Sequence, residues 1–248
     1  MQKMNDKIHI HPLTTLIRDA HAIFHDMGFD LAEGPEIESE RYNFDLLNVP
    51  KDHPARDMQD TFFVAGTEKK VLRTHTSPVQ IRYMETHKPP LRVIVPGKVF
   101  RNEATDRTHE AQFYQIEGLA IDTDITLGHL KGVLQTFIST LMGKEVSVRF
   151  RPSFFPFVEP GVEVDVSCFK CSNNGLSAGC SLCKQTGWIE LLGAGMVHPK
   201  VLAGAGINPK VYQGFAFGVG LERLGMLKYG IDDARLFASG DLRFINQF

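Results

Sequence analysis

The chain has 248 residues, 43% of them hydrophobic, enough to bury one sizeable core in one large domain or two small ones. A net charge of −2 excludes a protein whose main business is coating nucleic acid, although local basic patches stay open. The start, MQKMNDKIHIHP, lacks the apolar stretch of a secretory signal, and no run reaches the roughly eighteen apolar residues of a membrane span, so the chain is expected to be soluble and cytoplasmic.

Leu13, Leu16, Ile17, Ala20, Ile23, Phe24 and Met27 fall at helical spacing, and Gly28 supplies the stop. GPEIES then turns the chain at Pro35, and NVPKDHPARDMQDTFF reads as a charged loop. In VLRTHTSPVQIRYME a strand leads into a helix, with Ser77 expected as N-cap and Pro78 as first helical residue. LRVIVPGKVFRNEATDRTHEAQFYQIEGLAID predicts a buried strand, a Pro-Gly turn, and two further strands joined by a charged loop at about 104–110. A helix carried by Ile125, Leu130, Leu134, Phe137 and Leu141 follows. VSVRFRPSFFPFVEP, a cysteine-rich hairpin and a strand-to-helix stretch, YQGFAFGVGLERLGMLKYG, complete the order. Strands joined by hairpins outnumber helices, which predicts an α+β fold: an antiparallel β-sheet flanked by helices. No phosphate-binding glycine loop occurs, so any nucleotide must be held by side chains on the sheet.

All four cysteines lie in CFKCSNNGLSAGCSLCKQTGW as two C-x2-C pairs, Cys168 with Cys171 and Cys180 with Cys183. Two such turns complete the tetrahedral sulfur shell that zinc prefers, and Gly175 and Gly179 would let the intervening loop fold back. Disulfides would need an oxidising compartment that nothing else in the sequence supports, and no thioredoxin-like βαβ pattern surrounds the pairs. A closed four-sulfur site leaves no position for substrate, so it folds a loop and does no chemistry. Flanked by GVEVDV and WIELLG, the finger is expected to be a zinc-knuckle hairpin, residues 167–187, inserted in a single domain spanning 1–248.

Strand alternation puts Arg101 and Glu103 on one face of the first arm, and Phe113, Gln115 and Glu117 on one face of the second. A solvated sheet face would explain the polar residues alone. Phe113 among them, with Arg107 and His109 in the connecting loop, suits a nucleotide better: an aromatic face for the base and cations for the phosphates. Phe155 and Phe157, two apart on an extended strand stiffened by Pro156, would point the same way, either as core or as an aromatic pocket. Arg223 near a helix start opposes the macrodipole, which favours a phosphate-facing role over an ordinary surface one.

VPGKVFRNEATDRTHEAQFYQIEG resembles motif 2 of the class II aminoacyl-tRNA synthetases, GFAFGVGLERLGMLKYGIDDAR resembles motif 3, and the first helix with GPEIE looks like motif 1. RTHTSP, HPARDMQDTFF and FPFVEPG narrow the resemblance to the α-subunit family of bacterial-type phenylalanyl-tRNA synthetases, over about His11 to Phe248. That resemblance implies ATP-dependent activation of phenylalanine and its transfer to tRNA(Phe), with Mg²⁺, within an α2β2 assembly. Carried over by position, Arg101 would bind the α-phosphate and the phenylalanine carboxylate. Phe113 would stack on adenine opposite Arg223, and Glu103 and His109 would hold the adenine and the phosphate end. His75, Ser77, Gln80, Gln115 and Glu117 would surround the amino group, Phe155 and Phe157 the ring, and Ala216 would limit pocket depth. Glu159 matches a magnesium position shared with the β subunit. Members carry an N-terminal coiled coil that contacts tRNA; some ten polar residues precede the match here, so tRNA binding by this chain alone is expected to be weak. Two other readings stay open: a paralogue activating another amino acid or serving as a regulatory subunit, and a zinc-dependent RNA-binding module.

Overall fold

A computed structural model describes residues 9–58, 60–67, 69–107, 109–168, 171, 180 and 183–248. Gly175 and Gly179, on which the finger's turn was predicted, lie outside these residues. The chain runs α1(Pro12–Asp26), β1(Asp30–Leu31), β2(Ile37–Ser39), α2(Glu40–Asn43), β3(Lys70–Leu72), α3(Ser77–Thr86), β4(Leu91–Phe100), β5(Gln112–Asp122) and α4(Leu127–Met142). It continues with β6(Val148–Phe155), β7(Val158–Ser167), β8(Trp188–Val197), α5(Pro199–Gly204), β9(Gln213–Gly220), α6(Leu221–Tyr229) and α7(Leu242–Ile245). Among the described residues, no helix is long and apolar enough to cross a membrane.

Seven strands form one sheet in the order β1-β4-β5-β9-β8-β7-β6, antiparallel throughout except where the short β1 runs parallel to β4. The alternation seen in the sequence feeds both faces. Ile116, Val162, Val164 and Val219 point into a core against α1 and α4, built on Leu16, Phe24, Leu134 and Phe137. Val93, Val95, Leu119 and Ile121 face the other way, onto Val79, Ile81, Val201 and Leu202 of α3 and α5. Gly28, with φ of 79°, ends the first helix as predicted.

Three local expectations need correction. Pro96 and Gly97 make no turn: β4 runs through them, with Pro96 opposite Ile116 and Gly97 opposite Gln115. Proline is tolerated because β1 covers only Val93 and Ile94 on β4's other side, so Pro96 has no ladder bond to donate there. Glycine is required because a Cβ at 97 would fall on the Arg73 guanidinium. The connecting loop therefore spans 101–111, longer than the predicted 104–110. At α3 the N-cap is Thr76, with Ser77 the first helical residue, since the Ser77 hydroxyl is committed to Glu117. Finally, Phe155 and Phe157 do not share a strand. β6 ends at Phe155, and Pro156 and Phe157 form the turn into β7, where Asn48 Nδ2 donates to the Pro156 carbonyl at 2.7 Å.

Candidate active site

Between the sheet face and α3 lies a cavity of about 490 Å³. Its wall includes His75, Ser77, Gln80, Arg101, Glu103, His109, Phe113, Gln115, Glu117, Phe155, Phe157, Ala216 and Arg223, so the loop after β4, β5, the end of β6, β9, α3, α6 and the 156–157 turn converge on one space. Glu159 is not on that wall. It projects into solvent on β7, with Oε2 3.6 Å from His198 Nε2.

The aromatic part is a pair of stacked rings, Phe155 and Phe157, with centroids 5.9 Å apart and planes 19° apart. His75 lies 6.2 Å from Phe157. The rings share a side although Phe157 lies in the turn and not on β6, because the hairpin folds Phe157 back beside Phe155. Gly193 on β8 makes room beneath them: a Cβ there would lie 2.9 Å from Phe155 Cζ.

Beside the rings Glu117 is buried and surrounded by donors: the Thr76 N–H at 3.0 Å, the Ser77 hydroxyl at 2.5 Å and Gln80 Nε2 at 3.4 Å. Burial pushes its carboxyl above the usual range, against the pull of these donors and of the Arg101 and Arg73 charges. His75 is driven the other way, down to about 3, by burial first and then by Arg101, with the Asn43 backbone opposing. It is therefore a neutral imidazole at neutral pH. Three buried side-chain polar atoms of the described residues have no hydrogen-bond partner, and two of them, His75 Nδ1 and Gln115 Oε1, belong to this cavity. Unpaired buried acceptors cost about 1–3 kcal/mol each, so a ligand bringing N–H groups would be favoured at this spot.

Arg101 lies just past β4. Its Nε donates to the Thr74 carbonyl at 3.1 Å, Nη1 is 4.0 Å from Glu103 Oε1, and the guanidinium carbon is 5.0 Å from the Phe113 centroid. From the first turn of α6, Glu222 accepts from the Tyr114 N–H of β5 with both oxygens, at 2.9 and 3.1 Å. Burial is the main cause that raises its carboxyl to about 7.

Carboxylates that the sequence reading did not single out, Glu163 and Glu190, also line the cavity. Behind them Asp165, 2% exposed, accepts from Arg149 Nη2 at 2.6 Å and from Arg151 Nε at 2.6 Å and Nη2 at 2.8 Å. The signal was available in the alternation of Glu163 and Asp165 in VEVDV, but placing it at the cavity requires the β6–β7–β8 pairing.

The cysteine pairs close the far end of β7 and β8, where Ser167 pairs with Trp188. Cys168 Sγ is 3.8 Å from Cys180 Sγ and Cys171 Sγ is 3.6 Å from Cys183 Sγ, and all four sulfurs lie within 4.8 Å of one another. A tetrahedral zinc about 2.3 Å from each sulfur requires S···S separations near 3.8 Å, so the donor set fits that ion.

A family model described as tRNA synthetases class II core domain (F) matches residues 1–248. The chain belongs to this family. Phenylalanine–tRNA ligase alpha subunits agree closely with it: that of Bacillus licheniformis is 58% identical over 240 residues, 96% of this chain and 68% of the relative. Those of Moorella thermoacetica and Alkaliphilus metalliredigens are 55% and 56% identical, with the same shares covered. Among solved structures, pyrrolysyl-tRNA synthetase from Desulfitobacterium hafniense superposes with a TM-score of 0.68 at 20% identity, over 92% of this chain and 74% of that one, a likeness of fold. Members of this class use ATP with Mg²⁺. The hard carboxylate oxygens of Glu163 and Glu190 on the cavity wall are the kind of donor that Mg²⁺ takes.

Proposed function

We infer that this chain is the catalytic core of a phenylalanine–tRNA ligase α subunit. It joins phenylalanine to ATP as phenylalanyl-adenylate with release of pyrophosphate, then passes the acyl group to tRNA(Phe). The carrying observation is that the stacked Phe155–Phe157 pair stands in one cavity with the unpaired acceptors His75 Nδ1 and Gln115 Oε1 and the buried Glu117. An apolar ring and an ammonium group a few ångströms apart match both needs. In this reading Ser77 and Gln80 keep Glu117 in place, Ala216 closes the pocket, and Arg101 takes the carboxylate and the α-phosphate. Phe113 and Arg223 hold the adenine, with Glu103 and His109 toward the phosphates.

Attack of one anion on another is limited by positioning and charge, so activation needs oriented cations and no protein nucleophile. Mg²⁺, held by Glu163 and Glu190, would neutralise phosphate charge. Glu159, exposed on β7, would take part in a second ion only with a residue from a β subunit. The four cysteines would hold a structural zinc that clips the 167–187 hairpin onto a single 1–248 domain. Partners are phenylalanine, tRNA(Phe) and the β subunit of an α2β2 enzyme, and the setting is cytoplasmic protein synthesis. The RNA-binding-module alternative is not favoured, because Cys168, Cys171 and Cys183 share one core with α1 and α4.

The test is phenylalanine-dependent ATP–pyrophosphate exchange, with and without a β partner. Exchange is expected with β present. Its absence there, in folded protein, overturns the reading.

A further inference from the structure

The acidic wall of the cavity carries a cation of its own. Arg151 on β6 grips Asp165 with two prongs, Nε to Oδ2 at 2.6 Å and Nη2 to Oδ1 at 2.8 Å. The rest of its reach goes to the cavity wall, Nη1 3.0 Å from Glu163 Oε2 and Nη2 3.3 Å from Glu190 Oε2. Ser153 holds the other Glu163 oxygen, its hydroxyl donating to Oε1 at 3.0 Å. Arg149 also pairs with Asp165 and lies 4.3 Å from the Trp188 ring centre. Among the described residues, Arg151 is thus the only cation paired with either wall carboxylate.

We propose that Arg151 is a positioning residue, a resident counter-cation that holds Glu163 and Glu190 on the wall and keeps their affinity for a divalent cation low until nucleotide brings one. This rests on the reading of the cavity as an ATP site. The grip on Asp165 is shorter and more buried than the contacts to the wall, so Glu163 and Glu190 can leave Arg151 without Arg151 leaving the sheet. A cation arriving with a triphosphate competes for the same two Oε2 atoms. Without Arg151, both carboxylates face the cavity uncompensated and take up a cation with no nucleotide present.

The experiment is Mn²⁺ binding without nucleotide or amino acid, read from the free-ion electron paramagnetic resonance signal, on the protein with its partner subunit if the two co-purify. Removing a unit charge within several ångströms of a divalent ion should tighten binding at least about tenfold in Arg151→Met, even under water-like screening. Arg151→Lys keeps the charge but loses the planar fork, so its gain should be intermediate, at least about threefold. Adding Glu190→Gln to Arg151→Met should return the affinity to wild type. Wild-type affinity in both single variants, folded by circular dichroism, overturns the proposal, as does a gain that survives both Glu163→Gln and Glu190→Gln. If Arg151→Met does not fold, Arg151→Lys decides alone. No substrate is present, so unchanged Mn²⁺ binding beside intact pyrophosphate exchange sinks this proposal and leaves the assigned reaction standing. Lost exchange in the wild type sinks the reaction itself.

Discussion

Glu222 hooks α6 onto β5: both of its carboxylate oxygens accept from the Tyr114 N–H, at 2.9 and 3.1 Å. The hook joins the chain neighbours of Phe113 and Arg223, the two residues assigned to the faces of the adenine. Burial lifts the Glu222 carboxyl from 4.5 to about 7, with Glu110 adding to the rise and the Glu222 and Tyr114 N–H groups opposing it. Between those values the folded form binds more protons than the unfolded chain, so this group's contribution to stability falls as pH rises through the window. Glu222→Gln should remove that slope. Relative to wild type, the variant should gain on the order of 1–3 kcal/mol from pH 4 to 8, read as Tm against pH. A difference in Tm that does not change with pH would count against the assignment.

His75 shifts in the opposite sense. With a folded value of about 3 against an ordinary 6.5, the unfolded chain binds the extra proton, so stability rises with pH across that interval and is lost on acidification. Replacing His75 with Asn should flatten the acid limb of stability against pH. Between pH 5 and 8 the wild-type KM for phenylalanine should carry no inflection from this imidazole, and steady-state kinetics over that range checks it.

Gln115→Leu removes the unpaired buried acceptor of a residue that lines the cavity. If it meets the substrate ammonium, KM for phenylalanine should rise roughly 5- to 100-fold while KM for ATP changes little. Equal increases in both constants would place Gln115 outside amino-acid recognition.

Gly193→Ala would put a methyl carbon 2.9 Å from Phe155 Cζ, so the ring must shift. The expected result is a loss of phenylalanine kcat/KM of about tenfold, in line with about 1–2 kcal/mol for a disturbed aromatic contact, with the fold retained. Unchanged kinetics would show that the ring pair does not define the pocket.

If the four cysteines hold zinc, as proposed, chelation should lower Tm before it lowers pyrophosphate exchange, since a closed sulfur site orders a hairpin and leaves the cavity wall intact. Metal analysis finding no zinc in active protein would refute the clip.

Legibility in the sequence tracked the range of the interactions. Phe113, Gln115 and Glu117 share the cavity face because a two-residue period is local to one strand, and that period is readable without any partner. Pro96-Gly97 misled because the guanidinium that makes glycine necessary belongs to Arg73, far back in the chain. Ser77 misled by one position because a buried carboxylate on β5 outcompetes the helix end for its hydroxyl. Glu163 and Glu190 were visible as letters, but their place on the cavity depends on the register of three strands. The shared side of Phe155 and Phe157 was anticipated for the wrong reason: a turn, and not a continuous strand, brings the rings together.

Five consecutive residues, Arg73 to Ser77, have a consequence for how the two substrates are sensed. Arg73 fastens three places at once, donating to the carbonyls of Lys98 at 2.7 Å, Gly34 at 3.0 Å and Pro35 at 3.4 Å. The next residue's carbonyl orients Arg101, while the Thr76 N–H and Ser77 hydroxyl orient Glu117. With Arg101 proposed to meet the nucleotide and Glu117 the amino acid, both ends would be aligned by one short rod of backbone, pinned outside the cavity. A disturbance at its pinned end, such as a side chain added at Gly97, cannot misplace one reactant without the other. Remote damage there would be felt as lost synchrony between two substrates, with neither binding surface itself altered.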